Sequence, residues 1–79
     1  MKATYEITTV NGKTRRFEFT EHHSEGDYGN GNYISVLRLE DDELLAYLDM
    51  RYEKYNFESA CLNYIRSYFS TNLLTYTKI

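Results

Sequence analysis

Apolar and polar side chains alternate along residues 2–20, with one break in the middle. Before the break Ala3, Tyr5 and Ile7 alternate with Lys2, Thr4 and Glu6, and after it Arg15, Phe17 and Phe19 alternate with Thr14, Arg16 and Glu18. An alternation of period two in β-forming residues predicts two strands. Asn11-Gly12 between them is a turn signal, so the segment predicts a β-hairpin.

The register of this hairpin depends on the length of its loop. A two-residue turn would place Tyr5 opposite Glu18, which sets an apolar side chain against a charged one. A three-residue loop, 10–12, with Gly12 in the left-handed conformation instead places Tyr5 opposite Phe17. The same register pairs Glu6 with Arg16 and Thr8 with Thr14, which are favourable cross-strand partners. We therefore predict the three-residue, bulged form.

Residues 21–32 have no apolar period and hold three of the four glycines. We expect a solvated loop there, with Tyr28 as a contact element at its tip. Tyr33–Leu39 follows as a third strand. Its apolar residues fall on both parities, which is typical of a central strand covered on both faces.

The segment 41–54 admits two interpretations. Acidic residues at 40–43 suit the first turn of a helix, with Leu44, Leu45 and Leu48 as its apolar stripe. The alternation from Tyr47 to Tyr52 instead favours a strand, with Leu44, Ala46 and Leu48 on one face and Tyr47 and Asp49 on the other. We favour the strand.

The last third of the chain predicts a helix and a short strand. Asn56 can cap a helix that begins at Phe57, and apolar residues recur at spacings of three and four up to Tyr68. Residues 73–79 alternate again and predict an edge strand. The whole chain, 1–79, thus predicts a single α+β domain: an antiparallel meander of four to five strands with one amphipathic helix (about 57–70) on one face, or alternatively the order βββααβ.

Composition narrows the classes of function. The net charge is −3 and the pI about 5.3, which argues against a generic binder of DNA or of membrane surfaces. Nine tyrosines contribute to an aromatic content of 16%. A chain of this length builds a thin core, so some tyrosines should face solvent, where they favour protein interfaces. No apolar run approaches the ~20 residues of a membrane span, and the start of the chain shows no apolar signal segment. With a single cysteine, these features predict a cytoplasmic protein without a membrane partner.

The sequence does not support any of the candidate metal, nucleotide or catalytic sites. His22 and His23 with nearby acidic residues are the one cluster of metal-capable side chains, but adjacent histidines in a strand point apart. Residues 26–31 lack the third glycine and the following helix that a dinucleotide loop needs. Cys61 lies on the apolar stripe of the helix, where a buried, inert thiol is the default. We therefore expect no catalytic residue, no metal and no cofactor.

Charged residues offer two weaker hypotheses. Arg15 and Arg16, with Lys13, form a small basic patch beside Tyr5 and Phe17, which suits stacking of single-stranded nucleic acid. The acidic run Glu40, Asp41 and Asp42 could instead face a basic protein partner.

The favoured function is that of a non-enzymatic protein-binding module, an inhibitor or regulator of a larger macromolecule. The alternatives are a small single-stranded nucleic-acid-binding protein, which is less favoured, and a structural homo-oligomer paired through its C-terminal strand. Small size, acidity and tyrosine content resemble the general style of accessory proteins carried by phages and mobile elements, without a motif match. The candidate partner-binding residues are Tyr28, Tyr33, Arg15, Arg16, Glu40, Asp41 and Asp42.

Overall fold

The computed structural model describes residues 1–24, 31–49 and 56–79. Within these ranges an antiparallel sheet of five strands packs against one α-helix. The elements in chain order are β1 (Lys2–Thr9), β2 (Thr14–Ser24), β3 (Gly31–Arg38), β4 (Glu43–Asp49), α1 (Phe57–Phe69), a 3₁₀ turn (Ser70–Asn72) and β5 (Leu73–Lys78). The predicted α+β class is confirmed, and since 43–49 is a strand the alternative order βββααβ is wrong.

The sheet combines a meander with one returning strand. Its order is β4-β3-β2-β1-β5, so the first four strands are neighbours in sequence order and β5 pairs antiparallel with β1. The predicted C-terminal edge strand is therefore present. It forms one edge of the sheet and β4 forms the other.

The first hairpin has the predicted bulged loop. Tyr5 lies opposite Phe17, and Gly12 has a φ of +82°. The Gly12 amide donates to the Thr9 carbonyl at 2.9 Å, and the Thr9 amide donates to the Lys13 carbonyl at 2.9 Å. The left-handed conformation that the loop requires is one that glycine adopts without steric cost.

The hairpin of β2 and β3 is longer than the sequence predicts. Residues 21–24 and 31–32, expected in a loop, belong to the two strands, with His22 opposite Tyr33 and Ser24 opposite Gly31. Main-chain pairing does not require apolar side chains, and none of the described elements covers one face of this hairpin, so polar residues extend the strands. Tyr28, the expected contact residue, lies outside the described residues.

Strand β4 confirms the strand interpretation for 43–49, but the predicted faces are shifted at its start. The pairing with β3 slips between Val36 and Leu37, so that Val36 lies opposite Ala46 while Leu37 lies opposite Leu44. This bulge turns Leu44 away from Ala46 and Leu48, with which a simple alternation had grouped it. The continuation over 50–54 lies outside the described residues.

Helix α1 begins as predicted. The Asn56 side chain accepts a hydrogen bond from the Ser59 amide at 2.9 Å, which caps the first turn. The buried side chains of the helix are Phe57, Ala60, Cys61, Ile65 and Phe69. None of the helices in the described ranges has the length and apolar character needed to cross a membrane.

The core lies between α1 and one face of the sheet, here named the covered face. Phe17 stacks on Phe69 with ring centroids 5.5 Å apart, and Phe19 meets Tyr64 edge to face at 6.0 Å. The other face, the open face, has no described helix or strand packed on it. The expectation that β3 would be covered on both sides is therefore not met by the described elements, although β3 is internal to the sheet.

Candidate interaction surface

The open face divides into two halves of different chemistry. On the β1–β2 half, charged side chains neutralise one another across the strands: Lys2 Nζ lies 3.5 Å from a Glu18 carboxylate oxygen, and Arg16 Nε lies 3.2 Å from Glu6 Oε2. Exposed pairs of this kind contribute about 0–1 kcal/mol each and leave little unbalanced charge. This half of the open face is thus a self-paired polar surface.

The β2–β4 side of the same face carries a group of aromatic and apolar side chains, with Glu18 and Asp49 at its borders. Cross-strand register places Tyr33, Ser35 and Leu37 of β3 on the open face, beside Tyr47 and Leu44 of β4. His22 of β2 lies directly opposite Tyr33. We name these residues the open-face patch: His22, Tyr33, Leu37, Leu44 and Tyr47.

Three rings of the patch contact one another in series. The His22 imidazole stacks on the Tyr33 ring with centroids 4.8 Å apart and an interplanar angle of 17°. Tyr33 meets Tyr47 edge to face at 5.7 Å. His22 is also held by a hydrogen bond of 2.8 Å between its Nε2 and Ser35 Oγ. These contacts restrict the rotamers of the rings before any partner binds, which lowers the entropy cost of binding.

The bulge in β4 decides the extent of the patch. Because the pairing slips next to Leu37, both Leu44 and Tyr47 face outward although they are three residues apart. Tyr47 is 64% exposed and Leu44 is 45% exposed, whereas Leu45 packs against the core. A partner could therefore bury substantial apolar area on β4 without unfolding any part of the sheet.

The two arginines proposed from the sequence lie on opposite faces. Arg16 pairs with Glu6 on the open face, while Arg15 lies opposite Ile7 on the covered face. Tyr5 and Phe17 are buried in the core and present no ring to solvent. The structure therefore does not assemble the two arginines and these two rings into one platform.

Residues of the acidic run make contacts inside the protein. The Glu40 carboxylate accepts a hydrogen bond from the Arg16 amide at 2.8 Å. The Arg38 guanidinium donates to both oxygens of Asp41, at 3.0 and 2.7 Å, and this pairing lowers the pKa of Asp41 to about 2. Asp42 has a φ of 54° in the turn between β3 and β4. The turn itself accounts for these residues. Of the predicted residues that the structure describes, Tyr33 alone lies in the open-face patch.

The described residues that could bind a metal or act as a nucleophile do not form a site. His22 lies on the open face, and His23, next along the strand, points to the opposite side, where its Nδ1 lies 2.7 Å from Asn32 Oδ1. In the part of the chain that the structure describes, no three His, Cys, Asp or Glu side chains come close enough to hold a metal ion. Cys61 is fully buried, and burial raises the pKa of its thiol to about 12, which keeps it protonated and unreactive at neutral pH.

Sequence reasoning missed four of the five patch residues. Simple alternation predicts Tyr47 on the face opposite Leu44, and the sequence predicts His22 in a loop. The signal that could have found His22 is the alternation of period two, which continues from Phe17 through Glu21 and keeps His22 on the same face as Arg16. The bulge that brings Leu44 to this side has no glycine or other marker in the sequence.

Compared with protein-family models, with curated proteins and with solved structures, the chain matches none.

Proposed function

We propose that the protein is a non-enzymatic binding module that docks on a larger protein through the open-face patch and inhibits or regulates it. The observation that carries the proposal is the row of Tyr33, Tyr47, Leu37 and Leu44 on a sheet face that no described element covers. Tyr47 and Leu44 are exposed, and Tyr33 and Leu37 are half-buried. Aromatic residues are enriched, and charged residues depleted, at the centres of protein interfaces.

The arrangement of charge around the patch supports the same function. The ion pairs of the β1–β2 half border the patch on one side and would form a polar rim around an apolar centre. The buried, free thiol of Cys61 agrees with a reducing compartment, so we place the binding partner in the cytoplasm.

A comparison of tyrosine variants in the two edge strands tests the proposal. The tagged protein is used to capture partners from a nuclease-treated lysate of its source cells, and the captured proteins are quantified by mass spectrometry. Tyr47→Thr removes the most exposed ring of the patch, and we expect it to lower the amount of a stoichiometric partner at least roughly tenfold, as for an interface hot spot. Threonine keeps a β-forming residue in the strand.

Tyr76→Thr is the matched control, because Tyr76 lies in the other edge strand and on the covered face, opposite Ile7. It should leave capture unchanged. Equal loss in both variants would contradict the proposal. Proteins captured from an untreated lysate but absent after nuclease treatment would also contradict it and would favour nucleic acid. A protein that captures only copies of itself, with light scattering that shows an oligomer, would favour the homo-oligomer paired through β5.

A further inference from the structure

A cleft on the covered face lies where the first hairpin meets the end of α1. Its volume is about 380 Å³, which falls at the lower end of small-molecule sites. Three cationic side chains and three aromatic rings line it: Lys13, Arg15, Arg38, Phe17, Tyr68 and Phe69. It is separate from the open-face patch, which lies on the opposite side of the sheet.

Two of the three cations have no carboxylate partner among the described residues. Arg15 donates to the carbonyl of its neighbour Thr14, at 3.0 Å, and Lys13 makes no ion pair there. Arg38, by contrast, is engaged by Asp41 and Glu43. The protein as a whole is acidic, so a cleft with two unpaired cations and no described acidic lining residue is a local exception.

The aromatic wall supplies a second kind of contact. Tyr68 meets Phe17 edge to face with centroids 5.6 Å apart and at an angle of 90°, and it leans on Phe69 at 5.0 Å. These contacts fix the orientation of the Tyr68 ring, which is nevertheless 47% exposed. A fixed and exposed ring suits stacking with a planar group.

We propose that this cleft binds a nucleoside monophosphate, with the phosphate at Lys13 and Arg15 and the base against Tyr68. A phosphate carries about −1.5 to −2 charges at neutral pH, which matches two unpaired cations better than the single charge of a carboxylate does. Arg15 can donate two parallel hydrogen bonds to phosphate oxygens. Thr9 and Asn72 also line the cleft, and the Thr9 hydroxyl, which donates within its own loop, can accept from a ribose hydroxyl. Stacking on one ring does not select a base, so purine and pyrimidine nucleotides should both bind.

Titration followed by amide chemical shifts tests the proposal on the intact chain. AMP, CMP, inorganic phosphate and benzoate are added separately to isotopically labelled protein. We expect AMP and CMP to cause saturable shifts in residues 9–17 and 66–72, and phosphate and benzoate to bind at least roughly tenfold more weakly, because each supplies only one of the two contacts.

Variants locate the site. Arg15→Gln should weaken AMP binding roughly tenfold through the loss of a charge-assisted contact, and Lys13→Gln should act in the same direction. Tyr68→Leu should weaken AMP but leave phosphate binding unchanged. The matched control is Arg16→Gln, the next residue along β2 but on the open face, which should bind AMP as the wild type does.

The proposal is overturned if AMP causes no saturable shift at millimolar concentration, if phosphate binds as tightly as AMP, or if Arg16→Gln weakens binding as much as Arg15→Gln. Benzoate binding as tightly as AMP would assign the cleft to aromatic carboxylates instead. Circular dichroism of each variant confirms that it is folded before its affinity is compared.

Discussion

At the scale of single residues, the Tyr5 hydroxyl is the energetically least favourable group in the described core. It is buried and has no hydrogen-bond partner among the described residues. Burial is also the main cause that raises the pKa of Tyr5. The ring itself packs well, edge to face on Phe19 with centroids 5.7 Å apart. The hydroxyl therefore opposes folding while the ring supports it.

We expect Tyr5→Phe to stabilise the protein by about 1 kcal/mol, because it removes an unsatisfied buried polar group and keeps the ring. Urea denaturation with an unchanged m-value measures the effect. Tyr76→Phe is the control, since the Tyr76 hydroxyl accepts a hydrogen bond from Arg66 at 3.2 Å, and it should bring no gain. A loss of stability in Tyr5→Phe would contradict this account.

The titration of the Asp41 carboxyl makes the folding stability of the protein depend on pH in the acid range. Its pKa in the folded protein is lowered to about 2 by the hydrogen bonds from Arg38, whereas an unfolded chain has a value near 3.9. As pH falls, the unfolded state takes up the proton first, so the stabilisation is full above about pH 4 and is lost as pH falls towards 2.

In Asp41→Asn this titration is absent. We expect the variant to be less stable than the wild type at pH 7 and the difference to shrink below pH 4, as denaturant midpoints measured at several pH values would show. Asp42→Asn should keep the wild-type profile, because Arg38 bonds to Asp41 and Glu43 rather than to Asp42. A constant difference between Asp41→Asn and wild type at every pH would contradict this account.

At the scale of elements, the end of α1 holds a strained residue. Ser70 has a φ of 49° and a ψ of −117°, a region that glycine adopts and that costs other residues about 1–3 kcal/mol. Its amide nevertheless donates to the Arg66 carbonyl, which closes the last helical turn. The strain is held in place because the chain must leave α1 and enter β5 within the three residues of the 3₁₀ turn.

Ser70→Gly should therefore stabilise the protein by about 1 kcal/mol, net of the greater freedom of glycine in the unfolded chain. Ser67→Gly is the matched control. It places the same substitution inside the helix, where it should destabilise by about 1 kcal/mol. Thermal unfolding of the two variants and the wild type measures the sign of both stability changes in one experiment. Destabilisation in both variants would contradict the presence of strain at Ser70.

The elements also show which structural features the local sequence can predict. The hairpin register was predictable because only the bulged loop sets Tyr5 against Phe17, and the helix start was predictable because Asn56 precedes an apolar stripe. The end of β2 and the start of β3 were not predictable. Residues 21–24 and 31–32 are polar or glycine, and main-chain pairing between the two strands extends them without an apolar pattern in either segment.

At the scale of the whole molecule, one helix on a five-stranded sheet leaves the two faces with different roles. The covered face holds the aromatic core and, at the end of α1, the cationic cleft. The open face holds the paired charges and the aromatic patch. The proposed protein partner and the proposed nucleotide would therefore bind on opposite faces, and a variant that affects one site should leave the other intact.

Local pattern by itself predicted the first hairpin, the helix from Phe57 and the C-terminal strand, and also which side chains of the first hairpin share a face, because those properties depend on the period of neighbouring residues. It also placed Arg15 and Arg16 on opposite faces. Only the tertiary structure decided which surfaces these faces form. It brought Lys13 and Arg15 beside Tyr68, more than fifty residues away, and the slip between β3 and β4 brought Leu44 beside Tyr47. The cleft depends on contacts between segments distant in the chain. The slip depends on the register between two neighbouring strands, and the alternation of one strand contains no information about the register of the next.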